Sequence, residues 1–254
     1  MRLIDTHCHI HDTEFYHENR EVVYAQSRDA GVTMYCVGTD ERSSREAVAF
    51  AETHEGCFAI VGVHPHESHR GWAEIGKILT ERHEKVIGIG EIGLDYFYAH
   101  SPRGAQLEAL RAQLELARQY DLPVSFHVRE AFDDFWPILD DFPEVRGVLH
   151  SFTDSSENMQ RGLARGLYIG VNGISTFTKD EAQQRMYREL PLGSMVLETD
   201  APFLTPKPFR GKTNIPAYVG RVAEHQAEIK HVSVDTVVRT TTANARMLFG
   251  DHHE

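Results

Sequence analysis

The sequence predicts an α/β protein, a (β/α)8 or TIM barrel forming a single domain over residues 1–254. Three observations predict it. Short apolar runs rich in Val, Ile and Leu recur eight times along the 254 residues. Each is followed by a polar turn and an amphipathic segment, the pattern of strands joined by helical crossovers into a parallel sheet. His, Asp and Glu recur at the ends of the runs, which is where barrel enzymes carry their chemistry.

In chain order the runs are Leu3–Asp5, Met34–Gly38, Phe58–Val63, Val86–Glu91, Val124–His127, Gly147–His150, Tyr168–Val171 and Met195–Glu198. An open doubly wound sheet usually places a Gly-rich phosphate loop after its first strand. Here that place holds His7-Cys8-His9. Between the fourth and fifth runs lies the clearest helix, Gln106–Tyr120, with Leu107, Leu110, Leu114 and Ala117 recurring on one face. Asp121-Leu122-Pro123 stops it. Thr178 followed by Glu181 reads as a capping box opening the helix before the eighth strand. A last helix, Val234–Phe249, ends at Gly250, a residue suited to that position.

Composition bounds the function. No apolar run approaches membrane-spanning length, and the N-terminus carries no secretory pattern. The three cysteines, Cys8, Cys36 and Cys57, form no C-x-x-C and cannot pair evenly. Reduced thiols in a cytoplasmic protein are expected. Cys8, between two histidines on an extended chain, points away from them and reads as a packing residue. The net charge of −12 argues against a protein that grips duplex DNA along its backbone. It leaves open a metal site that takes the end of a strand, because cations invert the local field. A monomer is expected.

The first strand ends in Asp5-Thr6-His7-Cys8-His9, the fourth in Glu91 with Asp95 beyond it, the fifth in His127 and Arg129. The sixth ends in His150 and the eighth in Glu198-Thr199-Asp200. Thr39 and Asn172 are weaker candidates after the second and seventh. His7 and His9 are two apart on a strand, so both rings face one side. Any one of these residues alone is more often a core or surface residue than a ligand. Six together, His7, His9, Glu91, His127, His150 and Asp200, form a donor set for two divalent ions, Mg²⁺, Mn²⁺ or Zn²⁺. Asp5 is placed to orient the His7 ring. His64, in the His64-Pro65-His66 turn after the third strand, reads as a substrate contact, and His66 stays open. Arg129 suits a phosphate oxygen, against the alternative of an ion pair with a loop carboxylate. Lys207, Arg210 and Lys212 form a basic loop, read either as a solvated face or as a backbone-phosphate contact. The remaining histidines, His11, His17, His54, His69, His83, His100, His225, His231, His252 and His253, are expected to be solvated.

Asp5-Thr6-His7-Cys8-His9, GVHPH at 62–66, GEIGLDY at 90–96, the FHVREA segment from 126, His150-Ser-Phe-Thr and ETDAPFLTP from 198 together resemble the TatD family of metal-dependent DNases. The resemblance runs in order from Ile4 to Gly250. It implies a barrel, two divalent ions, and magnesium- or manganese-supported hydrolysis of phosphodiester bonds, typically as an exonuclease. Carried onto this chain, His7, His9, Glu91 and Asp200 hold one ion. Glu91, His127 and His150 hold the other, with Glu91 bridging, and His64 approaches the substrate phosphate. The chain departs from the family pattern at Thr213 and Ile215, where a basic and an acidic residue are more usual, and at Asp154, where Gly is common.

On this reading the catalytic carboxylates are Asp200, the general base toward water, and the bridging Glu91. His64 and Arg129 neutralise the phosphate of a DNA strand end. The rival is an amidohydrolase-type enzyme cleaving a small-molecule amide or ester, or an ester on a tRNA end. Many amidohydrolases have a carboxylated lysine at the end of the fourth strand, and Glu91 in that place favours the nuclease.

Overall fold

The computed structural model describes residues 3–251. Strand β1 (Leu3–Cys8) is followed by helices α1 (Thr13–Tyr16) and α2 (Arg20–Asp29), β2 (Val32–Val37) by α3 (Glu41–Thr53), and β3 (Cys57–Val61) by α4 (Ala73–Glu81). Then come β4 (Val86–Asp95), α5 (Arg103–Tyr120), β5 (Val124–Arg129), α6 (Phe132–Asp140), β6 (Gly147–Leu149) and α7 (Ser156–Ala164). The chain closes with β7 (Tyr168–Val171), α8 (Glu181–Glu189), β8 (Met195–Leu197), α9 (Val219–Lys230) and α10 (Val234–Phe249). All eight expected strands form, in the order β1 to β8. Their ends shift by a few residues: β1 runs on through His7 to Cys8, and β4 continues past Glu91 to Asp95. Internal contacts divide the chain into two compact units, residues 37–150 and residues 1–36 with 151–254.

In the unit of residues 37–150, β3, β4, β5 and β6 pair in parallel. Ile60, Ile89 and Phe126 are fully buried, as are Ile75 and Ile78 of α4, Leu114 of α5, and Phe135 and Leu139 of α6. Burying each such side chain stabilises the fold by about 1.5–3 kcal/mol. Helix α5 corrects the expected face. Its buried residues are Gln106, Ala109, Leu110, Gln113, Leu114 and Ala117, whereas Leu107 is only half-buried. The two glutamines are inside because they replace missing backbone partners. Gln113 Oε1 accepts from Val63 N at 2.7 Å and its Nε2 donates to Val63 O at 3.1 Å. Gln106 does the same to Asp95, at 2.8 and 3.0 Å. One helix face thus fixes the chain ends of β3 and β4. Gly93 has φ 152°, and a Cβ there would stand 1.7 Å from the carbonyl oxygen of His127, so β4 approaches β5 as only glycine allows.

In the other unit β7 pairs with β8 and β1 with β2, and a parallel bridge between Cys8 and Ala201 joins β1 to the end of β8. Met34, Ile169 and Val196 fill its interior, with Val222 of α9 and Val237 of α10 packed outside. Helix α8 does not open on the Thr178–Glu181 box. Asp180 is the N-cap, and its carboxylate accepts from Ala182 N and Gln183 N. Asp180 is extended and directly precedes the first helical residue, so it reaches those amides first. Thr178 Oγ1 bonds the Gln183 side chain instead. Helix α10 spans Val234–Phe249 as expected and stops at Gly250, whose φ is 100°. Cys8, Cys36 and Cys57 are buried thiols. Among the described residues no helix is long and apolar enough to cross a membrane.

Candidate metal centre

In the unit of residues 37–150 the end of β4 presents Glu91 and, four residues on, Asp95, both buried. Glu91 Oε1 lies 2.8 Å from His127 Nδ1, 3.6 Å from His64 Nε2 and 3.7 Å from His150 Nε2. His127 is the fourth residue of β5, and His150 directly follows β6, its N–H donating to Phe126 O. His64, Glu91 and His127 offer ligand atoms within 4.8 Å of one another. The His127 and His150 imidazoles turned on one buried carboxylate fit a borderline or hard divalent cation, whose charge would offset the cost of burying the carboxylate.

Asp95, which the sequence places just beyond Glu91, has a definite part in the structure. Its Oδ2 stands 2.9 Å from His127 Nε2 and 3.0 Å from His66 Nε2. These two hydrogen bonds outweigh burial and hold its carboxyl well below the usual range. His127 therefore has a carboxylate at each ring nitrogen. Burial opposes its charge, but Asp95 and Glu91 together raise its pKa to about 9. This is the carboxylate–imidazole pairing that orients metal-binding histidines. His66, left open by the sequence, is thus a partner of Asp95.

His64 differs from its neighbours in tautomer. Burial holds its pKa well below the ordinary value, so the ring is neutral. Its Nδ1 accepts from His66 N at 3.1 Å, which puts the single proton on Nε2, the atom facing Glu91. An Nε2–H donates and does not ligate a cation, which suits an anion contact.

In the other unit, His9 Nε2 and His7 Nε2 lie 3.4 and 3.8 Å from Asp200 Oδ1. The two rings are 5.1 Å apart, His7 on β1 and His9 just past its end. Asp200 has φ 56° and its N–H donates to His7 O at 2.9 Å, so a left-handed turn after β8 aims its carboxylate at the histidines. Asp5 does not touch the His7 ring, contrary to expectation. It accepts from His7 N, Thr199 N and Thr199 Oγ1 at 3.3, 2.8 and 2.5 Å, tying β1 to the segment before Asp200. Burial outweighs these donors and raises its pKa to about 8. Asn214 pins the same segment, donating to Thr199 O and Phe203 O. Both residues bond partners far along the chain, mostly through the backbone, which leaves no local sequence signal.

Arg129 is exposed on the rim of its unit, its guanidinium 3.9 Å from the Phe97 ring centroid and 4.7 Å from that of Tyr98. The ion pair weighed for it does not form among the described residues. Lys207, Arg210 and Lys212 are exposed, with Arg210 over the Phe177 ring and donating to Thr205 O. Asp154 accepts from Ser155 N and Asn158 Nδ2 at the start of α7, which accounts for a carboxylate there. Asn172 bonds Ser151 Oγ and Ile174 N, and Thr39 receives the His64 N–H on its backbone oxygen. His11 is buried rather than solvated, because the turn after β1 folds under Arg20. His252 and His253 lie outside the described residues.

Comparison with known proteins places this geometry. The chain superposes on the TatD homologue YjjV of Escherichia coli K12 with a TM-score of 0.92 and 30% identity over 99% of both chains. It is 35% identical to the metal-dependent hydrolase YabD of Bacillus subtilis, over 97% of this chain and 98% of that one. It is 36% identical to the 3'-5' ssDNA/RNA exonuclease TatD of a Pantoea species, over 97% and 99%. It is a hydrolase on a (β/α)8 barrel, dependent on divalent metal. The model of the TatD related DNase family matches residues 4–250, and the chain belongs to that family.

Proposed function

We propose that the chain is a deoxyribonuclease that removes nucleotides from the ends of single-stranded DNA, in the 3'-to-5' sense of its named relatives. It does so as a cytoplasmic monomer, with residues 1–254 acting as one domain. The observation that carries this reading is the buried Glu91 carboxylate faced by His127, His64 and His150 within 3.7 Å, in a chain of this family. His7, His9 and Asp200 in one unit, and Glu91, His127 and His150 in the other, are the residues that would hold the divalent ions. When bound, such cations would lower the pKa of a water toward ~7 and polarise a phosphoryl oxygen.

The chain's own residues do the rest. Asp200 takes a proton on Oδ1 from the attacking water, whose oxygen bonds to phosphorus as the bond to the 3'-oxygen breaks. His64 donates its Nε2–H to a phosphate oxygen, and Arg129 supplies a fixed positive charge beside it. Asp95 holds His127 in place. The buried thiols accord with a reducing compartment.

The test is hydrolysis of end-labelled single-stranded DNA by metal-stripped protein resupplied with Mg²⁺, Mn²⁺ or Zn²⁺. Stepwise shortening from the 3' end is expected, with turnover in Asp200→Asn lower by ~10²–10⁴ and an unchanged melting temperature. Protein that binds two equivalents of metal and cleaves no DNA would return the amidohydrolase reading to first place.

A further inference from the structure

The loop following β4 exposes what a folded protein ordinarily hides. Phe97 and Tyr98 are 50% and 52% exposed, side by side, and His100 is exposed beyond them. Their rings are ordered among themselves. Phe97 meets Tyr98 edge to face at 4.8 Å, and Tyr98 lies nearly parallel to His100, 10° between planes and 5.8 Å between centroids. The Arg129 guanidinium covers part of Phe97 and Tyr98. The base of the loop is braced at three points. Tyr98 N donates to Asp95 Oδ1 at 2.9 Å, Tyr96 N to Arg129 O at 3.0 Å, and Tyr96 Oη to Asp134, which Arg103 also grips. The exposed rings therefore stand on a rigid base and are not a frayed tip. A single imidazole separates them from the candidate centre: the His66 ring lies 5.6 Å from Tyr98 and 6.2 Å from His127.

We infer that Phe97 and Tyr98, with His100 and Arg129, form a stacking subsite for the bases of a single strand whose phosphate is being hydrolysed. The inference rests on the nuclease reading and deepens it. Flat π faces stack on any base, whereas the guanidinium in their midst donates to a phosphate oxygen, so the pair of chemistries matches a nucleotide and not an isolated phosphate. Paired bases in a duplex have no free face to offer, so the subsite selects unpaired ends. An acidic protein needs such a site more than a basic one, because its surface supplies little general attraction to phosphates.

The experiment uses the full-length chain, Phe97→Ala/Tyr98→Ala against wild type. The probe is a single-stranded oligonucleotide carrying 2-aminopurine in its two 3'-terminal positions, bound to metal-stripped protein. Wild type is expected to quench the probe by stacking. The double variant should lose the quench and bind about 10-fold more weakly, the scale of one stacked base. An oligonucleotide abasic at those two positions should bind both proteins equally. With metal restored, KM should rise for the intact strand and kcat should change less, and Tyr98→Phe should behave as wild type. Equal weakening toward intact and abasic strands, or an unchanged quench, would overturn the subsite while the nuclease stands. Wild-type protein that takes up metal but neither binds nor cleaves the strand would instead remove the reading beneath it.

Discussion

His127 carries a carboxylate at each ring nitrogen, and this has a thermodynamic consequence. With a pKa raised to about 9 it is an imidazolium in the metal-free protein at neutral pH. A cation that takes Nδ1 must expel that proton, while Nε2–H stays with Asp95. Calorimetric titration of the metal-free protein at pH 7 in buffers of different ionisation enthalpy should show about one proton released per chain from this residue. The release should fade as pH is raised past 9, and Asp95→Asn should largely abolish it at pH 7. A heat of binding independent of buffer would mean that His127 is not a ligand. The sign for folding follows from the same shift. The proton stabilises the metal-free fold fully below the ordinary histidine value, and that contribution is lost as pH rises through about 9. Six donor candidates stand out in the sequence because a strand alternates its faces and barrel enzymes carry their chemistry at strand ends. The parts of Asp5, Asp95 and Asn214 were not legible, since each acts through a backbone amide, a carbonyl or a second ring brought near by folding.

At the scale of elements, helix α5 shows where periodicity reads too little. Apolar spacing picked Leu107, Leu110, Leu114 and Ala117, and three of the four are buried. It missed Gln106 and Gln113, because nothing local announces that a glutamine will satisfy Val63, 50 positions away. Gln113 is a tie between the helix and the turn that carries His64. Gln113→Leu leaves the Val63 N–H and carbonyl buried without partners, which should cost about 2–5 kcal/mol by urea unfolding. Turnover should fall as well, since His64 is the next residue. Leu107→Gln, at a half-buried position, should cost under about 1 kcal/mol. Equal costs at the two positions would return the helix to the face that apolar spacing alone assigns. The same distinction explains α8: the Thr178–Glu181 box places its start two residues too early, and its cap is Asp180 because capping is decided by the backbone conformation of one residue.

On the scale of the whole molecule, 38 acidic against 26 basic residues must coexist with a polyanionic substrate. Binding by a broad basic surface would release many counterions, with affinity for single strands falling by a slope of about −0.7 in log–log terms for each neutralised phosphate. The exposed cations that the sequence singles out for such contacts are Arg129, and Lys207, Arg210 and Lys212 after β8. Arg210 is already held over Phe177 and against Thr205 O, which leaves it less free to follow a backbone. If Arg129 alone neutralises a phosphate, KM for a short single strand should rise about 3-fold between 50 and 200 mM salt. Engagement of all four cations would make that rise roughly 50-fold. The shallow dependence is expected, because base stacking at Phe97 and Tyr98 and ligation at the metal centre are both short-range and escape Debye screening. A steep dependence that Lys207→Ala and Lys212→Ala flattened would show that the β8 loop grips the strand after all, and that the acidic balance of the chain is offset locally there.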